Sequence, residues 1–261
     1  MLDGCIQRGD VHRLSRVIPL ALLLAVSAPP EAVNATPASV YRVSPAIDAP
    51  IIGASLLAIA IPYAFAGTFI HPHCPCDPNA VNALDRHVIG NHNKFLDDAS
   101  DVTAGIVMAG PLLLDWLDVG LSRTLLEDAT VYGETLAVNG ALVTVTKYIA
   151  QRPLPRTYAG DPALLNQPGG YRSFYSGHTS LVVAALSATA VTLEARHGQR
   201  VWPWLMVVAL GGMVAAERVA AGRHFYTDVA VGAVAGVAVG TLVPLAHRRG
   251  NPGDGPLTFR F

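Results

Sequence analysis

The eleven residues from Arg218 to Asp228, R-V-A-A-G-R-H-F-Y-T-D, contain two arginines, a histidine and an aspartate between two long apolar runs. Charge at the edge of a bilayer-length segment is costly to place and marks a functional site. If a helix begins near His224, Asp228 falls four residues on, on the same face, where a carboxylate can hold an imidazole. Gly222 gives the turn between Arg218 and His224 its freedom. An imidazole oriented by a carboxylate, beside fixed positive charge, suits a nucleophile or base acting on an anion. Phosphate is the anion that most rewards several guanidinium groups.

Two further polar clusters lie upstream. Lys147 is followed by Gln151-Arg152-Pro153-Leu154-Pro155-Arg156. By itself this reads as cations snorkelling at a membrane interface. Pro153 biases Arg152 away from helix and ends the preceding segment. The second cluster is Tyr175-Ser176-Gly177-His178. Ser176 is a good N-cap, Gly177 lets backbone approach a ligand, and free amides at a helix start bind anions. Taken alone, the same four residues read as a plain helix cap, with His178 an ordinary interfacial residue.

The elements that must position these clusters are apolar and long. Half of the 261 residues are hydrophobic, 14% are charged and lysine occurs only at 94 and 147. Soluble domains carry about 25% charge, so the composition is that of a membrane protein. Net charge is −1, which leaves no nucleic-acid footprint. Apolar runs cover Ile51–Ile70, Val102–Val119, Leu125–Ile149, Leu181–Leu193, Val201–Ala216 and Val229–Ala246. Small residues recur in the last of them (Gly232, Ala235, Gly236, Gly240), as close helix packing in lipid favours. The pattern predicts an all-α, six-helix integral membrane bundle. Up-and-down threading brings the three polar clusters to one membrane face.

Before these runs, Arg8, Arg13 and Arg16 precede the apolar stretch Val17–Val26 and the A-x-A-like Val33-Asn34-Ala35. Residues 1–35 therefore read as a signal peptide, with a retained anchor as the alternative. Residues 36–50 read as a linker, 51–250 as the membrane domain and 251–261 as a disordered tail. The loop His71–Asp101 carries His71, His73, Cys74, Cys76, His87 and His92. Its C-x-C spacing is not that of structural zinc sites. The reading is an exposed loop, with a strained or intermolecular disulfide as an option and Asp77 and Asp85 as ordinary loop residues.

In order and spacing, the three clusters resemble the signature of the type 2 phosphatidic acid phosphatase superfamily, which includes bacterial lipid phosphatases and vanadium haloperoxidases. That signature runs K-x6-R-P, P-S-G-H and S-R-x5-H-x3-D. The resemblance covers residues 147–228, and the six-helix arrangement extends it over most of the chain. It implies a phosphohistidine mechanism without metal or other cofactor. His224 would attack phosphorus, Asp228 would hold its other ring nitrogen, and His178 would protonate the leaving oxygen and then activate water. Lys147, Ser176, Gly177 and Arg218 would bind the phosphoryl oxygens. Glu217 and Tyr175 replace the motif's serine and proline without removing a charge. The serious departure is Leu154, which stands where the first motif has arginine. In an extended segment Arg152, Leu154 and Arg156 share a face. The expectation is that Arg152 substitutes as a phosphate ligand, with Arg156 second.

Arg123, Arg196, Arg200, Arg248 and Arg249 lie at the ends opposite the motifs. By the positive-inside rule those ends are cytoplasmic, so the site faces the periplasm or exterior of an inner, multi-pass membrane protein. A cleaved N-terminus would leave five spanning helices by parity, and a retained one six. The reading is a phosphatase of a lipid phosphate or diphosphate. Its rivals are a lipid phosphotransferase, a catalytically decayed lipid-binding protein and a metal-handling protein built on the His/Cys loop.

Overall fold

The computed structural model describes residues 39–250, so the signal-peptide or anchor segment and the tail lie outside the described residues. Among the described residues, six long helices make the bundle: α1 Pro45–Ala64, α2 Lys94–Val119, α3 Arg123–Ala150, α4 Gly177–His197, α5 Trp202–Ala220 and α6 Tyr226–His247. The first begins six residues before the apolar run, so Pro45–Pro50 of the expected linker are helix, with Pro45 at its first turn as proline allows. Side chains cap the others where the chain offers them. Asn93 accepts from the Leu96 amide at 3.0 Å, and Ser122 from the Leu125 amide at 3.2 Å. Gly120 and Gly198, both at positive φ, end α2 and α4.

Five of the six helices are long and apolar enough to cross a bilayer, which marks a multi-pass membrane protein. The remaining one, α3, is the longest at 28 residues but carries Glu127, Asp128, Glu134, Asn139 and Lys147 on buried positions. It packs against α1, α2, α4 and α6, so its polar groups face protein and not lipid. Asn139 accepts from Ser180 of α4 at 3.0 Å, and Thr144 donates to the carbonyl of Gly140 at 2.8 Å. Large apolar side chains on the outer helices are exposed instead: Leu57 on α1, Ile106 on α2, Val208 on α5 and Val234 on α6.

The pair α4 and α6 packs most intimately. A Cβ at Gly236 would lie 2.5 Å from the Ser180 carbonyl oxygen, and one at Gly240 would lie 2.4 Å from that of Ala184. Only glycine permits this backbone approach, and it fixes the first half of α4 against the middle of α6. The helices alternate in direction. The last turns of α1, α3 and α5 and the first turns of α2, α4 and α6 therefore all meet at one end, where the motifs lie.

Candidate active site

Each of the three polar clusters is delivered by a short connection at that end. Lys147 stands in the last turn of α3, which stops at Gln151 in a left-handed conformation. Residues 152–154 then run extended, as the two prolines dictate. They pair with the segment before α4: the Leu154 amide donates to Gly170 O, and the Ser173 amide donates to Arg152 O, each at 2.9 Å. Ser176 caps α4 as expected, and its amide donates to Asp228 O at 3.1 Å. The turn after α5 depends on Gly222 at φ 68°, where an added Cβ would meet Asn91 O at 1.9 Å. Beyond the turn, the Arg223 and His224 amides both donate to Arg218 O.

The helix following this turn starts later than the sequence suggests. α6 begins at Tyr226, so His224 lies in the connection and Asp228 at the third helical position. Asp228 there accepts from the Phe225 amide at 2.9 Å and from the Ser173 hydroxyl, a capping geometry that outcompetes an earlier start. Its carboxylate oxygen stands 3.7 Å from His224 Nδ1, within ion-pair range but beyond a hydrogen bond. That Nδ1 is buried without a hydrogen-bond partner. Burial first, and then the Lys147 charge, push the His224 imidazole down to about 3 against the pull of Asp228. It is therefore the neutral, nucleophilic form at neutral pH.

A cavity of about 480 Å³ opens beside His224. One part of its wall is cationic and polar: Lys147, Arg172, Gly177, His178, Arg218, Arg223 and His224. The other part is apolar, with Ile59, Met108, Leu136, Val143 and Leu181 drawn from α1 to α4. Carboxylates from the start of α2 brace the polar part. Asp101 lies 2.8 Å from His178 Nε2, and Asp97 takes Arg223 through two nitrogens and Arg218 at 3.2 Å. Ser100 accepts from Arg218 at 2.9 Å, while Arg218 Nε is buried without a partner. Lys147 Nζ donates to Arg172 O at 2.5 Å.

Thus the structure gathers His224, His178, Lys147, Gly177 and Arg218 around one cavity, with Ser176 and Asp228 directly behind it. It does not place Arg152 or Arg156 there. Arg152 reaches Asp228 at 2.5 Å, Asp85 at 2.8 Å and Thr227 at 2.9 Å, and its guanidinium stacks 4.1 Å from the Phe225 ring. Arg156 pairs with Asp161 at 2.5 Å. The phosphate-binding role expected for Arg152 does not fit this placement, because two buried carboxylates already occupy its fork.

Asp85 is likewise no ordinary loop residue. It is fully buried and accepts from Arg152, from Asn82 at 2.8 Å and from the Thr227 amide at 3.0 Å. Burial alone would raise its carboxyl, but the bonds from Arg152 and Thr227 more than reverse this and hold it below the usual range. Sequence reasoning missed Asp85, Asp97, Asp101, Arg172 and Arg223 as parts of the site. For Asp97 and Asp101 a signal existed: an i,i+4 pair just after the Asn93 cap, on the helix end facing the motifs.

Cys74 and Cys76 form a disulfide with each other, which removes the thiolates from any metal set in that loop. Among the described residues the grouping with metal-ligand character is Asp48, Glu134 and His247, whose ligand atoms lie within 4.8 Å of one another. It sits at the opposite end of α6 and takes no part in the cavity. Residues 128–252, the stretch from α3 to α6 that holds all three motifs, match the family described as the PAP2 superfamily. No curated protein and no solved structure matches the chain.

Proposed function

On the premise that the chain belongs to the PAP2 superfamily, a superfamily of phosphatases, we propose that it hydrolyses a lipid phosphate or diphosphate through a phosphohistidine. The observation that carries this reading is the two-part cavity. Its cationic wall suits a phosphoryl group, and its apolar wall, drawn from the candidate spans α1, α2 and α4 together with α3, suits a hydrocarbon tail. A water-soluble phosphate ester would leave that apolar part unused.

In the first step the ring nitrogen of His224 turned from Asp228, Nε2, attacks phosphorus, and the bond from phosphorus to the lipid oxygen breaks. His178, oriented by Asp101, gives that oxygen its proton. In the second step His178 takes a proton from water, the resulting hydroxide attacks phosphorus, and the P–N bond breaks to release phosphate. Asp228 stabilises the imidazolium formed in between. Lys147, Arg218 through its unpartnered Nε, the Gly177 amide and Ser176 meet the charge on the phosphoryl oxygens. His224→Ala should abolish phosphate release from a panel of lipid phosphates, and vanadate should inhibit the unaltered protein. Full turnover in His224→Ala, or loss on chelation restored by a divalent ion, would overturn the reading.

The site is proposed to face the periplasm or exterior of the inner membrane. The arginines at the opposite end support this by the positive-inside rule. So does the Cys74–Cys76 disulfide at the motif end, since such bonds persist in oxidising compartments. In a Cys5→Ala background, an impermeant thiol reagent applied to intact cells should label a cysteine at exposed Ala159 and spare one at exposed Gln199. Labelling in the reverse pattern would place the site in the cytoplasm.

A further inference from the structure

Resting on that reading, we propose that Arg172 is the phosphate-binding guanidinium of this enzyme, supplied from the neighbouring segment in place of the arginine absent at Leu154. Leu154 itself lines the cavity, so the position is where the motif would need it and only the side chain is wrong. The two hydrogen bonds that pair residues 152–154 with 170–173 lay Arg172 alongside this extended segment, and Arg172 lines the same cavity.

Its bonding state sets it apart. Among the described residues, Arg152, Arg156, Arg218 and Arg223 around the site each hold at least one carboxylate. Arg172 has none. Its guanidinium stands 4.7 Å above the Tyr63 ring, with a weak 3.4 Å approach of Nη1 to the Tyr148 hydroxyl. Stacking uses the flat face of the cation and leaves the in-plane N–H groups for an oxyanion. Its backbone oxygen meanwhile receives Lys147 Nζ, so the chain that carries Arg172 also carries the anchor of the motif lysine. Cation and ammonium are thereby set side by side at the cavity wall. A planar fork free of carboxylates in such a place is what a phosphoryl group requires.

The test compares Arg172→Ala, Arg172→Gln, Arg172→Lys and the double variant Leu154→Arg/Arg172→Ala with the unaltered, detergent-solubilised protein. Turnover on a lipid phosphate and thermal stabilisation by orthovanadate are both read. Arg172→Ala and Arg172→Gln should lose roughly a hundredfold or more in turnover, as for a lost oxyanion donor, together with most vanadate stabilisation. Lysine should recover part, and the double variant should recover more than tenfold over Arg172→Ala. If Arg172→Ala and Arg172→Gln keep both turnover and vanadate stabilisation, the proposal is wrong. If the unaltered protein releases no phosphate, the phosphatase reading fails while the vanadate arm still decides. Stabilisation lost in Arg172→Gln upholds Arg172 as an anion ligand, and no stabilisation of the unaltered protein overturns it.

Discussion

Arg152→Ala separates a structural arginine from a phosphate ligand. The side chains of Asp85 and Asp228 are both fully buried, and Arg152, 21% exposed, bridges them. Removing one partner from a buried ion pair costs about 3–5 kcal/mol, because the charge left behind is uncompensated. Partial exposure of the guanidinium moves the figure toward the lower half, and the lost stack on Phe225 adds about 0.5–1 kcal/mol. At about 2–4 °C per kcal/mol for a chain of this size, a total loss of ~3.5–5 kcal/mol lowers the melting temperature by roughly 7–20 °C. The assay is thermal unfolding in detergent, with and without vanadate. Arg152→Ala should melt lower yet still be stabilised by vanadate. Asp85→Asn should recover part of the loss in the double variant, since it removes one stranded charge. An Arg152→Ala protein with unchanged melting temperature and no vanadate stabilisation would refute this reasoning and return Arg152 to the phosphate.

Two further outcomes follow from the same end of the bundle. Asp85 has a folded pKa below its unfolded value of about 3.9, so its contribution is present above that value and is lost as pH falls through the folded one. Melting temperature measured from pH 7 down to 3 should fall less steeply in Asp85→Asn, and an identical slope would contradict the assignment. Gly222→Ala should destabilise the protein by more than about 2 kcal/mol and abolish turnover, because a left-handed φ costs about 1–2 kcal/mol and the new Cβ also strikes the Asn91 carbonyl. Gly212→Ala on exposed α5, with nothing within 4 Å of the new Cβ, is the control that should melt no lower.

Much of this protein is determined by its sequence alone. Bilayer-length apolar runs dictate helices wherever they occur, and their number and direction bring alternate ends together. That is why the convergence of His224, His178, Lys147 and Arg218 on one cavity is legible in the sequence: each stands at the end of a run, and all those ends share a face. The glycine stripe of α6 was legible for the same reason, since small residues in lipid have few other uses. Local competition was less legible. Whether α6 starts at His224 or Tyr226 turned on Asp228 accepting the Phe225 amide, and α3 looked like another apolar run although it is the bundle's polar centre. The partners of the arginines were legible only in the tertiary structure. Arg152 meets Asp85 across 67 residues of chain and Asp228 across 76, and Arg172 reaches the cavity because its segment pairs with the one holding Leu154. Charge type and local spacing name the groups that can bind an anion. Which of them remain free to do so depends on where buried carboxylates fall, and long-range packing alone decides that.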